Sequence, residues 1–316
     1  MNIKQAITFL KTKGYEVKLG RSTASKTLLC VSDIHDGSIY AVCSDEPVRA
    51  ETGEVYKRWP HNKKLLRHWF DIRDWGRNAD LVICNGEPFD GVNKKQFGLQ
   101  VWTMDMGDQK VDSAKLLRPL NPKYYMFTRG SNYHVRDGQT NYEEMLAQDL
   151  NRTLPYSGYF LNNKHKIRRG HAILHEGRTR YLDNYIWFTI HGRLLNFTHH
   201  VGFSKREGFR TTSLASEMAA LDHDRGYYYE LNKNIAVFGR GHSHYHVEIR
   251  YPSSIGFITP SWKLPDDHLF RGGLSGTRPT IGAVKVVIEQ NGDIQVDKLL
   301  LKKGYPKPYT PDLSMI

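Results

Sequence analysis

Cysteine is scarce in this chain: Cys30, Cys43 and Cys84 are the only three in 316 residues. Three thiols cannot all pair, and two of them sit inside apolar runs, so a disulfide scaffold is excluded. The expectation is reduced core thiols in an intracellular protein. Long hydrophobic runs are also missing. No stretch of about 18 apolar residues occurs, and the N-terminus lacks the apolar segment and small-residue cleavage site of a signal peptide. The protein is therefore expected to be cytoplasmic, with no membrane partner. Acidic residues are outnumbered, 33 Asp and Glu against 45 Lys and Arg, for a formal net charge of +12. With 39% hydrophobic and 25% charged residues, the composition is that of a globular protein, which rules out collagen-like, coiled-coil and low-complexity chains. The positive excess has two readings, a solubilising surface or a phosphate-rich partner.

Histidine, by contrast, is plentiful at 15 residues, and its positions matter more than its number. Five short, uniformly apolar runs read as strands buried on both faces: 27–31, 81–84, 124–127, 194–197 and 235–238. Helical spacing predicts helices over 3–13, 61–77, 109–117, 141–150 and 213–221, with Asn141 as an N-cap. Strands alternating with helices imply an α/β fold. Two hairpins are expected, 281–289 with 294–301 around Asn291-Gly292, and 185–190 with 193–198 around His191-Gly192. The parse is one domain over 26–304, preceded by a helical appendage (1–25) and followed by a tail (305–316).

Each apolar run ends in residues able to bind a cation. The first is followed by Asp33-Ile34-His35, the second by Asn85-Gly86-Glu87-Pro88-Phe89-Asp90, and the third by Arg129-Gly130-Ser131-Asn132-Tyr133-His134. The fourth ends in His199-His200 and the fifth in Gly241-His242-Ser243-His244. Ligands of open α/β sheets bind beyond the carboxyl ends of the strands, so five clusters would converge on one crevice. Extended backbone at Asp33-x-His35 and His242-x-His244 would point each pair to one side. Imidazole mixed with carboxylate suits Zn, Fe or Mn, and one shared carboxylate would hold two ions about 3.5–4 Å apart.

These blocks, in this order, resemble the calcineurin-like metallophosphoesterase family over roughly Leu28 to Trp262. That family's blocks are Asp-x-His, Gly-Asp-x-x-Asp, Gly-Asn-His-Asp/Glu, a lone His and Gly-His-x-His. The surrounding wording, Asp90-Gly91 with Lys94-Lys95 and Thr259-Pro260-Ser261-Trp262, is similar to a phage and prokaryotic subgroup. The resemblance implies a four-layer α/β/β/α sandwich and a phosphoesterase with two divalent transition-metal ions (Mn, Fe or Zn). It assigns Asp33, His35 and His244 to the first metal and Asn132, His199 and His242 to the second, with Glu87 bridging. His134 would be the catalytic histidine, Asp90 would orient a ligand histidine, and Arg129 would bind phosphate. Glu87 stands where the family has Asp, and Ser131 follows Gly130 where the family has Asn, so Ser131 and Asn132 are alternatives, as are His199 and His200. The expected reaction is attack of a metal-activated hydroxide on a phosphoester, a phosphodiester or nucleic acid. A nucleic-acid-binding protein with a weakened metal centre is the competing reading. Basic clusters at Lys63-Lys64, Lys164 to Arg169 and Lys302-Lys303, with Tyr156, Tyr159 and Phe160 near the second, are candidate contacts to a polyanion. The sequence leaves the oligomeric state open.

Overall fold

The computed structural model describes residues 24–150, 159–161, 167–169, 182–204, 206–227, 234–266 and 278–301. The helix expected over 3–13, Tyr156, Lys164 to Lys166, Lys302-Lys303 and the tail over 305–316 lie outside the described residues. The strands in chain order are β1 (Lys26–Val31), β2 (Leu81–Asn85), β3 (Tyr124–Thr128), β4 (Arg136–Asp137), β5 (Thr140–Asn141), β6 (Tyr159–Leu161) and β7 (Ile167–Arg169). They continue with β8 (Leu182–Asp183), β9 (Ile186–Ile190), β10 (Arg193–Phe197), β11 (Ile235–Arg240), β12 (Val247–Tyr251), β13 (Ser254–Ile258), β14 (Gly282–Ile288) and β15 (Ile294–Leu300).

Two larger sheets carry the molecule. One has the order β15-β14-β1-β2-β3-β8 and the other β12-β13-β11-β10-β9. In the first, β1, β2, β3 and β8 run parallel, and β14 closes antiparallel on β1. In the second, β10, β11 and β13 are parallel to one another, with antiparallel β9 and β12 at the edges. All five apolar runs expected as strands are strands, and both expected hairpins form, β9 with β10 and β14 with β15.

Alternation along β1 sorts its side chains between two cores. Leu29 and Val31 pack with Leu65, Trp69, Ile72 and Leu116 from helices Pro60–Trp75 and Met106–Leu117. Leu28 and Cys30 pack instead with Leu195, Phe197, Val237 and Phe257 of the second sheet. A third cluster joins Leu194, Ile235, Phe238 and Ile258 to Leu214, Met218 and Leu221 of helix Thr212–Tyr227. A fully buried Leu or Val side chain contributes about 1.5–3 kcal/mol, so these three clusters fix where the strand ends lie. All three cysteines are buried free thiols, and no helix among the described residues is long and apolar enough to cross a membrane.

Helix boundaries differ from the pattern where capping intervenes. Helix Met106–Leu117 begins a turn before 109 because the Asp105 carboxylate accepts from the amides of Gly107 and Asp108. Asn141 caps helix Tyr142–Asp149 as expected, its side chain accepting from the Glu144 amide. Helix Thr212–Tyr227 runs two turns past 221. Segment Asn132–Val135, just after β3, is a single helical turn.

Candidate metal centre

β1, β2, β10 and β11 end at one place, and the chain leaves β1, β2 and β11 through an unusual turn. Asp33, His35, Glu87, His242 and His244 all have φ between 50° and 67°. The left-handed region costs a residue with a side chain about 1–3 kcal/mol and persists where surrounding structure over-determines it. This corrects the expectation of extended backbone at Asp33-x-His35 and His242-x-His244: the pairs converge because left-handed turns swing each side chain inward. The turns are held by hydrogen bonds between strand ends. Asp33 N–H donates to Gly86 O at 3.1 Å, and His35 N–H to Glu87 O at 3.1 Å.

Four ligand atoms then crowd a single point. His35 Nε2 lies 3.1 Å from Glu87 Oε2 and 3.9 Å from Asp33 Oδ1. His244 Nε2 is 3.0 Å from His35 Nε2 and 3.3 Å from Asp33 Oδ1. With metal–ligand bonds of about 2.0–2.2 Å, adjacent ligands of one ion sit roughly 3.0–3.5 Å apart, so three of these separations fit a coordination sphere and the fourth is slightly open. A second group lies alongside. His199 Nε2 is 3.3 Å from Glu87 Oε1 and 4.0 Å from Asp33 Oδ1, and His199, His200 and His242 form a set whose ring nitrogens lie within 4.8 Å of one another. Glu87 thus turns one oxygen to each histidine group.

Tautomers follow from the outer partners. His199 Nδ1 donates to Asn85 O at 2.7 Å and His35 Nδ1 to Asp90 Oδ1 at 3.0 Å, which leaves both Nε2 atoms facing the centre. Asp33 Oδ2 accepts from Ser32 Oγ at 2.5 Å and from His242 N–H at 3.0 Å. Asp33 Oδ1, His199 Nε2 and His242 Nδ1 are buried with no hydrogen-bond partner among the described residues. A buried unsatisfied polar atom costs about 1–3 kcal/mol, and a carboxylate oxygen ringed by imidazole nitrogens is the arrangement a cation relieves. The residues present fit divalent metal ions.

Without a metal, protons take the positive role. Burial opposes charge on His35, but Asp90 and Glu87 hold its pKa at about 9. On His199 burial is again overcome, here by Glu87 and Asp33, to about 10. Burial would raise Asp33, yet His199 and His244 bring it to about 2, and the imidazoles around Glu87 outweigh burial to hold it well below the usual carboxylate range. The sign follows. Both histidines are protonated at pH 7 and must lose that proton to ligate, so metal affinity rises with pH until about 9–10. Calorimetry in buffers of differing ionisation enthalpy is expected to show release of about two protons per protein at pH 7; release near zero would contradict this geometry.

His134 stands beside the first group. Its Nδ1 donates to Asp90 O at 2.6 Å, and its ring meets the His35 ring edge-on at 4.7 Å. Burial lowers its pKa, and with Nδ1 donating to Asp90 O the lone pair of the neutral ring is on Nε2. Arg129 is half-buried next to Gly130. Asn132 is exposed in the single turn after Gly130, whereas Ser131 Oγ donates to Glu87 Oε1 at 2.6 Å. The structure therefore brings Ser131 to Glu87, while Asn132 stays exposed. His199 is fully buried, while His200 is exposed at the rim.

Sequence reading gave no site role to Lys263, Ser261, Trp262 or Glu143. Lys263, buried, donates from Nζ to Asp90 Oδ1 at 2.7 Å and pairs with Asp266 at 2.9 Å. Trp262 N–H and Ser261 Oγ donate to Asp33 O at 2.9 and 3.2 Å, which gives the Thr259-to-Trp262 wording a role: it clamps Asp33 in its left-handed turn. Glu143, pushed up to about 8 by burial, accepts from Gly130 N–H at 3.0 Å. Gly86, at φ 83°, leaves room for the His199 ring, which a Cβ there would strike.

No family model matches the sequence, and no match was found among curated proteins. Among solved structures the chain is similar to a variant of Vps29 from Entamoeba histolytica, at 11% identity and a TM-score of 0.38, covering 87% of this chain and 99% of that one. It is similar to a structure described as a novel archaeal phosphodiesterase, at 13% identity, TM-score 0.40 and coverages of 87% and 99%. A putative 5'-nucleotidase from Staphylococcus aureus is similar at 12% identity and TM-score 0.42, covering 92% of this chain and 56% of that one.

Proposed function

We propose that this protein is a phosphoesterase of the calcineurin-like type, with two divalent transition-metal ions (Mn, Fe or Zn) and a phosphodiester substrate, nucleic acid included. The observation that carries the reading is Asp33 Oδ1, a buried carboxylate oxygen without a hydrogen-bond partner among the described residues, beside the Nε2 atoms of His244, His35 and His199 at 3.3, 3.9 and 4.0 Å. In this reading Asp33, His35 and His244 hold the first ion, His199 and His242 the second, and Glu87 reaches both. Ser131 replaces Asn132 beside Glu87. The helix, sheet, sheet, helix order of the three buried clusters supports a four-layer sandwich; the proposal takes it to span 26–304, with 1–25 and 305–316 as appendages, in a cytoplasmic protein of the phage and prokaryotic subgroup.

When bound, the ions supply charge neutralisation at the phosphoryl oxygens and a water of lowered pKa. The chain's own groups do the rest. Asp90 fixes the His35 ring so that Nε2 faces inward, and in this reading Arg129 pairs with a phosphate oxygen. His134, neutral in the free protein, takes a proton at Nε2 when an anionic phosphate is seated and passes it to the leaving oxygen.

The test combines metal analysis with turnover of two diesters, one with a nitrophenyl and one with an alkyl leaving group. Purified protein is expected to retain Mn, Fe or Zn, and His242→Ala to lose turnover of both. His134→Ala is expected to slow the alkyl ester about 10²–10⁴-fold and the nitrophenyl ester far less, because a good leaving group needs no proton. Metal-free protein with no turnover, or equal losses on both esters, would overturn these assignments.

A further inference from the structure

The site sits beside a surface that the reaction does not use. At the start of helix Pro60–Trp75 three rings lie nearly parallel. Trp59 stacks on His61 at 6.1 Å and 29°, and His61 on Tyr40 at 6.1 Å and 13°. Trp59, the outermost, is 55% exposed, an unusual place for the largest apolar side chain. The stack is bolted to the loop that follows His35. His61 Nε2 donates to Ile39 O at 2.8 Å, and Asn62 Nδ2 donates to Ile39 O and Ala41 O at 3.0 and 2.7 Å. Ser38 N–H in turn donates to His35 O. A rigid aromatic row therefore runs from solvent to the segment carrying a candidate metal ligand.

Charge surrounds the row. Lys57, Lys63, Lys64 and Arg67 are all exposed, and none forms an ion pair with a described residue. Arg58 is excluded, because Asp45 holds it at 3.1 Å. Lys63, Lys64 and Arg67 share the outward face of the helix, opposite Leu65, Leu66 and Trp69 in the core. Four exposed cations beside an exposed aromatic row match single-stranded nucleic acid: unstacked bases lie on the rings and phosphates meet the cations. Duplex hides its base faces and would gain from the charge alone.

We infer that Trp59, His61 and Tyr40, with Lys57, Lys63, Lys64 and Arg67, form a binding ledge for single-stranded nucleic acid that leads to the metal centre. The inference takes the phosphoesterase reading as the reason a strand is brought there; the binding itself requires no metal. Fluorescence anisotropy of a labelled single-stranded oligonucleotide with full-length protein in a chelator therefore tests it separately. Trp59→Ala is expected to weaken binding roughly 5- to 150-fold, with Trp59→Phe restoring most of the loss. The double variant Lys63→Ala/Lys64→Ala is expected to make the slope of log K against log salt about 1.4 shallower. Both proteins should turn over a small nitrophenyl diester like the wild type. Binding unchanged in Trp59→Ala, an unchanged salt slope, duplex bound as tightly as single strand, or equal competition by polyglutamate would overturn the inference, the last indicating an acidic protein partner. Loss of small-diester turnover in the wild type would instead strike the phosphoesterase reading and leave the ledge standing.

Discussion

Replacing Asp33 by Asn is expected to lower affinity for the first metal ion about a thousand-fold, and metal-dependent turnover with it, while the apo fold survives. The reasoning starts from the division of labour between its oxygens. Oδ2 is tied to Ser32 Oγ and the His242 amide, whereas Oδ1 has no hydrogen-bond partner among the described residues and faces three imidazoles. Asn keeps the shape and an oxygen but removes the charge. A unit charge about 4 Å from another is worth about 4 kcal/mol at an effective dielectric of 20, which is roughly three decades in affinity. The backbone of residue 33 stays clamped by Trp262 and Ser261, so thermal unfolding of the apo protein should move little. Chelator competition with Mn²⁺ measures the affinity; a change under ten-fold would mean that Asp33 is not a ligand.

Lys263→Met is expected to cost about 3–5 kcal/mol of stability, the loss typical when one partner of a buried ion pair is removed. Lys263 joins Asp90 and Asp266, all three buried, and its attraction to both carboxylates overcomes burial to raise its own pKa. Methionine fills most of the space and leaves two carboxylates in a dry interior. The effect reaches the metal centre because Asp90 Oδ1 accepts from both Lys263 Nζ and His35 Nδ1. Freed from the lysine, Asp90 can turn, and His35 loses its fixed orientation, with an expected 10- to 100-fold loss of metal affinity. Adding Asp266→Asn should recover stability but not metal affinity. The Co²⁺ absorption spectrum separates the two effects, since a purely structural lysine would leave it unchanged in the folded fraction.

The strand ends were legible because β1, β2, β3, β10 and β11 are short and apolar and each stops at a polar residue. That alone placed Asp33, His35, Glu87, His199, His242 and His244 at strand ends. Their division between two sheets was not legible, since β2 and β11 read alike and only pairing separates them. Nor was the left-handed backbone at five candidate ligands, because φ at a non-glycine residue leaves no mark in composition. Glu87 and Ser131 show how a local departure becomes intelligible in space. The longer Glu reaches toward a shorter Ser, and the two meet at 2.6 Å. Nothing local in the sequence singles out Lys263; its carboxylate partner Asp90 lies 173 residues away in sequence, beyond any local pattern.

The most direct test of the centre is anomalous diffraction from crystals grown with Mn²⁺. Two peaks about 3.5–4 Å apart are expected, one among Asp33 Oδ1, His35 Nε2, His244 Nε2 and Glu87, the other among Glu87, His199 Nε2 and His242. No peak there, or a single one, would contradict the two-metal account.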